Sequence, residues 1–150
     1  MKLNKKQRKE LYEKYGGKCA YCGIELPEKW HADHLKPVER HLVTGKPYFP
    51  ERDTFENLMP SCPSCNIHKH SDGLEEFRRR IAYHIEALNK NSTQYKFIKK
   101  FGLIQETGKP VEFYFEYVCR IEKELDKQRE KVDCLSKEGC NGSNSFKIRC

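Results

Sequence analysis

The sequence lacks any long uninterrupted run of apolar residues, and this limits the classes of protein to which the chain can belong. A membrane-spanning helix needs about 20 consecutive, mostly apolar residues, and no stretch approaches that length. The first residues run directly into charged side chains, without the apolar segment of a signal peptide. We therefore expect no membrane partner and a cytoplasmic location, which would be the host-cell cytoplasm for a phage-encoded protein.

Acidic residues are fewer than basic ones, with 22 Asp and Glu against 29 Lys and Arg, which gives a net charge of +7. Basic side chains bind polyanions because the counterions that are released drive association. Runs of charge are also common on solvated helix faces, so the balance alone favours a nucleic-acid partner only modestly. No internal repeat divides the 150 residues, and this length suits a single domain with a modest core.

Cysteine is plentiful, with eight residues in the chain. In a reducing compartment this number indicates metal binding more than disulfide bonds. Four of the cysteines form two CxxC knuckles separated by 39 residues: Cys19, Cys22, Cys62 and Cys65. A CxxC turn points both thiolates at one ion, so the two knuckles predict a structural zinc site of four sulfurs. Such a closed site has no open position, and its zinc should not itself catalyse a reaction.

The other four cysteines follow no zinc spacing: Cys119, Cys134, Cys140 and Cys150. We interpret them as reduced thiols, with a second metal site as the alternative.

Polar residues suited to phosphodiester chemistry lie between and just after the knuckles, in the order Asp33, His34, Asn57, Asn66 and Lys69. Each signal is weak alone, because an Asp-His pair is often a surface ion pair and an asparagine is often a turn residue or a helix cap. Their order and spacing around two CxxC knuckles resembles the zinc-bearing branch of the HNH endonucleases, over roughly residues 10–75. The three letters of that motif would fall on His34, Asn57 and Asn66.

The resemblance implies a hairpin and a helix that gather these residues around one divalent cation and one scissile phosphate. His34 would be the general base, a role that suits imidazole near neutral pH. Asp33 and Asn66 would bind the catalytic cation, and their hard oxygen donors favour Mg²⁺ or Mn²⁺. Asn57 would brace the hairpin loop and orient His34, and Lys69 would approach the phosphate as a point charge.

The third motif position separates this chain from family members that have histidine there, because this chain has Asn66. His70 follows four residues later, on the same face of the predicted helix. An imidazole from His70 could join the metal shell and allow Ni²⁺ or Co²⁺ to support the reaction.

The expected fold class is α+β, with a small zinc-stabilised ββα-metal core, an N-terminal helix and additional C-terminal helices. We expect the nuclease core and its four-cysteine site in residues 1–75 and a helical extension that packs on this core in residues 76–118. A charged helix and a flexible tail are expected in residues 119–150.

Local signals predict where the helices begin. The predicted caps are Asn4, Ser61 or Cys62 with Pro63 in the first turn, Asp72 in capping-box spacing with Glu75, and Ser92. Glycines are predicted to end the first and the last of these helices, at 16–17 and at 102. Short strands are expected between the first helix and Pro63.

Residues 111–132 fit two patterns at once. The apolar residues up to Tyr117 alternate as in a strand, whereas those from Val111 to Val132 also fit a heptad. We predict a strand to about Tyr117, followed by a helix to about Val132.

Three functions are compatible with these features. The first is a metal-dependent DNA endonuclease that nicks or cleaves duplex DNA. The second is a non-catalytic, zinc-bearing nucleic-acid-binding module, which would have no need of a base beside a pair of oxygen ligands. The third is an assembly protein that forms a homodimer through the 118–132 helix, a role that could also accompany either of the others.

Overall fold

The computed structural model describes the backbone of residues 2–135 and the side chains of residues 2–129. In chain order the elements are α1 Lys5–Glu13, β1 His31–His34, a 3-10 turn Pro50–Arg52, β2 Leu58–Ser61, α2 Pro63–Lys69, α3 Leu74–Asn91, α4 Thr93–Lys100 and α5 Tyr114–Leu135. These described residues form a small α+β fold, as the sequence predicts.

Three of the predicted helix starts are confirmed, each by a hydrogen bond at the cap. The side chain of Asn4 accepts from the Gln7 amide at 2.8 Å and starts α1. Cys62 is the N-cap of α2, with Pro63 in the first turn where its missing N–H is not needed. Ser92 Oγ accepts from the Tyr95 amide at 3.2 Å and starts α4.

The predicted capping box of α3 is wrong. The N-cap is Gly73, which provides no side-chain hydrogen bond, and the helix begins at Leu74. Asp72 lies one residue too early to cap the helix, and its carboxylate pairs instead with Arg80, two turns along α3.

The predicted strand to about Tyr117 is also wrong, because α5 already begins at Tyr114. The carboxylate of Glu116 accepts from the Phe113 amide at 2.9 Å, which caps the start of the helix. The amides of Tyr114 and Phe115 donate to the carbonyls of Tyr21 and Ala20 at 3.0 and 2.8 Å. This first turn is therefore bound to the first CxxC knuckle and does not pair with a strand.

The sheet consists of β1 and β2, which pair antiparallel with His31 opposite Ser61 and His34 opposite Leu58. All four residues of β2 are buried, whereas β1 is half-buried and His31 is exposed. The strands are joined by residues 35–57, a connection far longer than a tight hairpin turn. One end of the sheet therefore leads into this connection, and the other leads into α2.

One hydrophobic core surrounds the sheet and includes residues from both predicted segments, 1–75 and 76–118. Its buried members are Leu11, Tyr15, Cys19, Ala20, Tyr21, Leu26, Trp30, Leu58, Met59, Cys62, Phe77 and Phe113. Phe77 from α3 stacks on Phe113 with ring centroids 5.4 Å apart. Residues of the 76–118 segment therefore share this core, and Phe113 lies 5.6 Å from the ring of Tyr21 in the first knuckle.

Only some of the predictions for residues 119–150 can be compared with the structure. Cys119 is disulfide-bonded, so the interpretation of a reduced thiol there is wrong. The predicted flexible tail, Cys140 and Cys150 lie outside the described residues, as does the side chain of Cys134. Among the described helices, none is long and apolar enough to cross a membrane.

Candidate metal centre and active site

The four knuckle cysteines form one cluster. All their sulfur atoms lie within 4.8 Å of one another, and the Cys22 and Cys62 sulfurs are 3.8 Å apart. Tetrahedral zinc with Zn–S bonds of about 2.3 Å places its sulfurs about 3.8 Å apart. The four thiols are free of disulfide bonds. Their spacing and chemistry therefore fit a tetrahedral zinc ion, as the CxxC pattern predicts.

Backbone hydrogen bonds fix the first knuckle. The Cys19 amide donates to the Ile24 carbonyl at 2.8 Å, and the Gly23 amide donates to the Cys19 carbonyl at 2.9 Å. Gly23 has a φ of +76°, and a Cβ there would lie 2.9 Å from the ring of Tyr114. Only glycine combines this backbone conformation with the close approach of α5.

The second knuckle crosses from the sheet into α2. The Cys62 amide donates to the Cys19 sulfur at 3.3 Å, and the Cys65 amide donates to the Cys62 sulfur at 3.4 Å. Amide donors of this kind stabilise thiolate sulfur. The Cys62 amide of the second knuckle therefore binds a sulfur of the first.

Electrostatics shows why this cluster suits a cation. A hydrogen bond with Cys65 lowers the pKa of Cys19 to about 4. The same contact raises the pKa of Cys65, with burial adding to the effect. Burial raises the pKa of Cys22 to about 11. One thiolate therefore disfavours ionisation of its neighbours, and a divalent ion would remove that repulsion.

Asp33 is held by side chains from the first knuckle and from α2. The hydroxyl of Tyr21, a residue inside that knuckle, donates to Asp33 Oδ2. The ammonium of Lys69 lies 3.1 Å from the same oxygen. The Asp33 side chain is only 10% exposed. Two donors from different elements thus hold one carboxylate oxygen.

Tyr21 is buried at the centre of an aromatic cluster formed with Phe77, Phe113 and Phe115, with ring centroids 5.6, 5.6 and 6.4 Å away. Burial, followed by the negative charge of Asp33, raises the pKa of Tyr21. The phenol therefore stays protonated and acts as a donor to Asp33.

Lys69 does not lie at the surface, where the predicted contact with a DNA phosphate would require it. Its side chain is fully buried, and its ammonium donates to the His34 carbonyl at 2.7 Å in addition to its contact with Asp33. A buried ammonium already bound to a carboxylate presents no surface to a DNA phosphate. The position of Lys69, at the end of α2, instead ties that helix to the end of β1.

His34 is held by a residue that the sequence analysis did not select. Its ring Nε2 lies 2.9 Å from Asp53 Oδ1. The side chains of His34 and Asp53 are 22% and 20% exposed, so the pair lies at the surface of a partly closed site. Since a carboxylate only accepts, Nε2 carries the proton and Nδ1 is left as the acceptor nitrogen. Arg40 approaches the other oxygen of Asp53 at 3.5 Å.

Asn57 joins the two ends of residues 35–57, the segment between the strands, through hydrogen bonds. Its Nδ2 donates to the carbonyls of Lys36 and Arg52 at 2.9 and 2.7 Å. Its Oδ1 accepts from the Lys36 amide at 2.9 Å, and its carbonyl accepts from the Leu35 amide at 2.8 Å. These bonds brace the backbone directly after His34.

Asn66 lies inside α2, whereas His70 lies just after its end. Asn66 is half-buried within α2, the helix that packs on β1. His70 follows the end of α2 as its C-cap, with φ +50°, and its Nδ1 lies 2.7 Å from Ser71 Oγ. The predicted shared helical face is therefore wrong for His70, because the helix ends at Lys69.

Two residues of this site, Tyr21 and Asp53, had escaped the sequence analysis. Tyr21 could have been noted as the residue before the second cysteine of its knuckle, although an aromatic there is equally expected in a core. Asp53 lies 19 residues from His34 within a polar connection, and no local spacing points to it. Only the fold brings these two residues to the Asp33-His34 pair.

Residues 19–72 of the chain match the model of the HNH endonuclease family. The matched span contains both knuckles, both strands and α2. Nothing among the curated proteins or among the solved structures matches the chain.

Proposed function

We propose that the protein is an enzyme that hydrolyses phosphodiester bonds in DNA, because residues 19–72 match the model of the HNH endonuclease family. The observation that carries the proposal is the paired support of Asp33 and His34. Asp33 is held by Tyr21 and Lys69, and His34 is held by Asp53. A zinc-bearing binding module has no use for a carboxylate and an imidazole held in this way.

His34 would act as the general base. Asp53 binds Nε2–H, so Nδ1 is the atom that accepts a proton from the attacking water. The water oxygen forms a bond to phosphorus as the bond from phosphorus to the 3′ oxygen breaks. Asp53 stabilises the imidazolium that results, and it keeps the ring from rotating.

Asp33 and Asn66 would hold the catalytic cation, for which we propose Mg²⁺ or Mn²⁺. Both contacts to Asp33 that involve described residues fall on Oδ2, and Oδ1 is the oxygen left to bind an ion. The carboxylate of Asp33 and the amide oxygen of Asn66 are hard donors. When bound, such an ion supplies charge that stabilises the transition state and the departing oxygen.

The cysteine cluster would hold structural zinc, with about one ion per chain. Asn57 would keep His34 in place through the loop that it braces. A single site acts on one strand at a time, so cleavage of both strands would need two encounters or a homodimer. A dimer through α5 remains a prediction, as does the cytoplasmic location.

The deciding experiment incubates the purified protein with supercoiled plasmid DNA and Mg²⁺ or Mn²⁺. We expect open-circle or linear product, depending on whether one strand or both are cut. Mild EDTA should stop the reaction reversibly while elemental analysis still finds zinc, because four thiolates bind more tightly than two oxygen ligands.

Two histidine variants make the experiment specific. His34→Ala should slow cleavage by roughly 10²-fold or more, the usual contribution of a general base. His31→Ala, at the exposed start of the same strand, should retain activity. If the wild type gave no product with any DNA or cation tested, yet bound DNA, the non-catalytic binding module would be the better description.

A further inference from the structure

The connection between the strands contains a hairpin, residues 39–48, in which Arg40 and Pro47 pair across an antiparallel bridge. At its tip, Leu42 is 101% exposed and Val43 is 88% exposed. These are the two most exposed large hydrophobic side chains among the described residues. Adjacent apolar side chains that are this exposed indicate a surface that contacts another molecule.

The tip is ordered by its own hydrogen bonds. The amides of Val43 and Thr44 both donate to His41 Nδ1, at 3.3 and 3.2 Å. The Gly45 amide donates to the His41 carbonyl at 2.8 Å, and the His41 amide donates to the Lys46 carbonyl at 2.9 Å. The protein thus presents the two apolar side chains on a preformed turn, which reduces the entropy lost on binding.

The base of the hairpin is bound to the proposed general base. Arg40 contacts Asp53, and Asp53 contacts His34. Glu39, where the hairpin begins, has a φ of +39°, a strained conformation for a residue with a side chain. Leu42 and Val43 lie two and three positions after Arg40, a span of at most about 7–10 Å. Along one DNA strand this corresponds to two or three base steps of about 3.4 Å each.

Charge distinguishes DNA from an apolar protein pocket as the partner. From residue 36 to residue 46 the chain has three basic residues, Lys36, Arg40 and Lys46, and one acidic residue, Glu39. All three basic side chains are exposed. An apolar tip flanked by exposed cations suits a duplex, because bases are apolar on their faces and lie between two rows of phosphates.

We propose that the 39–48 hairpin is a DNA wedge, in which Leu42 and Val43 enter between base pairs beside the scissile phosphate while Arg40 and Lys46 contact the backbone. The proposal rests on the proposed function. It deepens that function by naming duplex DNA, opened at a base step near the cut, as the substrate form. Partial unstacking would bend the duplex and expose the phosphate to His34.

The test uses the full-length His34→Ala variant, so that DNA is bound without being cut. Short duplexes contain the fluorescent base 2-aminopurine at successive positions around a cleavage site mapped with the wild-type protein. Unstacking of this base raises its fluorescence. We expect a severalfold rise at one or two positions within a few steps of the cut, and no change at distant positions.

A second pair of variants tests whether the hairpin tip causes the rise in fluorescence. Leu42→Asn/Val43→Ser in the same background should abolish the fluorescence change, whereas Leu103→Asn, which alters an equally apolar exposed residue outside the hairpin, should retain it. The slope of log Kd against log salt concentration should stay the same in both, because no charge is removed. In the active protein, the tip variant should cleave more slowly than Leu103→Asn.

Several results would overturn the wedge while leaving the nuclease intact. One is tight binding with no fluorescence change at any position, together with normal cleavage by the tip variant. Another is a wild-type dimer in sedimentation that the tip variant converts to a monomer, since the tip would then contact a second copy. Loss of all DNA binding and cleavage in the wild-type protein would instead remove the proposed function itself.

Discussion

The cysteine cluster and the Asp33-His34 pair lie at opposite ends of the same two strands, and they differ in how fully the protein surrounds an ion. The cluster supplies four sulfurs within 4.8 Å of one another. At the other end, Asp33 has one oxygen bound by Tyr21 and Lys69, and the proposed cation there would take its remaining ligands from Asn66, water and substrate. A closed set of ligands stabilises the fold, whereas an open set allows chemistry.

The two ends are also connected. Tyr21 lies inside the first knuckle and reaches Asp33, and α2 begins at a cysteine of the second knuckle and ends at Lys69. We therefore expect that zinc at the closed end would fix the donors that hold Asp33 at the open end. The following predictions separate the two roles, from the largest expected effect to the smallest.

Cys65→Ser should produce the largest effect, because it removes one of four zinc ligands from a small core. We expect loss of zinc and unfolding of the region around the sheet, since structural zinc binding is coupled to folding. Melting curves and elemental analysis would measure both. Ser64→Ala, in the same knuckle, should change neither, and an unchanged melting curve after strong chelation would contradict the structural role of the cluster.

Lys69→Met should come next, because it leaves the buried Asp33 carboxylate without its cation. Breaking a buried ion pair in this way costs about 3–5 kcal/mol in the free energy of unfolding. Denaturant unfolding measures this loss, with the exposed Lys6→Met as the control. If the variant were as stable as the wild type but had weaker DNA binding, the originally predicted phosphate contact would be the better interpretation.

Tyr21→Phe should have a moderate effect on stability, because the ring contacts remain and only the hydroxyl is lost. Asp33 Oδ2 keeps its contact with Lys69, so the variant loses one hydrogen bond to a charged group, which costs about 1.5–3 kcal/mol. We also expect weaker binding of Mn²⁺ at the Asp33 site, measured by titration, with zinc content unchanged. Tyr15→Phe provides the matched control, because its buried hydroxyl contacts the sulfur of Met59 and not Asp33.

Asp53→Asn should alter the open end alone. An amide can present its oxygen or its nitrogen to His34, so the imidazole loses its defined tautomer. We expect roughly 10-fold slower cleavage, at the low end for residues that orient catalytic groups. The ¹⁵N spectrum of the His34 ring should show the change in tautomer, and a variant with wild-type spectrum and rate would exclude the positioning role.

Ser92→Ala should be the smallest change, because α4 lies away from both ends of the sheet. Loss of its cap costs about 1 kcal/mol, and Ser92→Gly should cost only a few tenths. Neither variant should change zinc content or cleavage, and a fall in activity would show that α4 takes part in the site.

Sequence and structure agree most closely where the chemistry is local. The CxxC spacings, the caps at Asn4 and Ser92 and the turn into α2 depend on residues a few positions apart, and all are confirmed. The strand predicted to about Tyr117 is wrong, because the apolar residues of that segment fit both the alternation of a strand and the heptad of a helix. Contacts with Tyr21 and Ala20, nearly 100 residues earlier in the chain, selected the helix.

The sequence by itself determined the residue types of this protein's two sites: four thiolates at knuckle spacing, and an Asp-His pair followed by two asparagines. Only the tertiary structure decided which groups hold those residues in place. The burial of Lys69, the contact between Tyr21 and Asp33, and the pairing of Asp53 with His34 join elements that are distant in the chain. A hydrogen bond forms only when donor and acceptor lie about 3 Å apart. For residues that are distant in the chain, this distance depends on how the core packs, so it cannot be read from local sequence patterns.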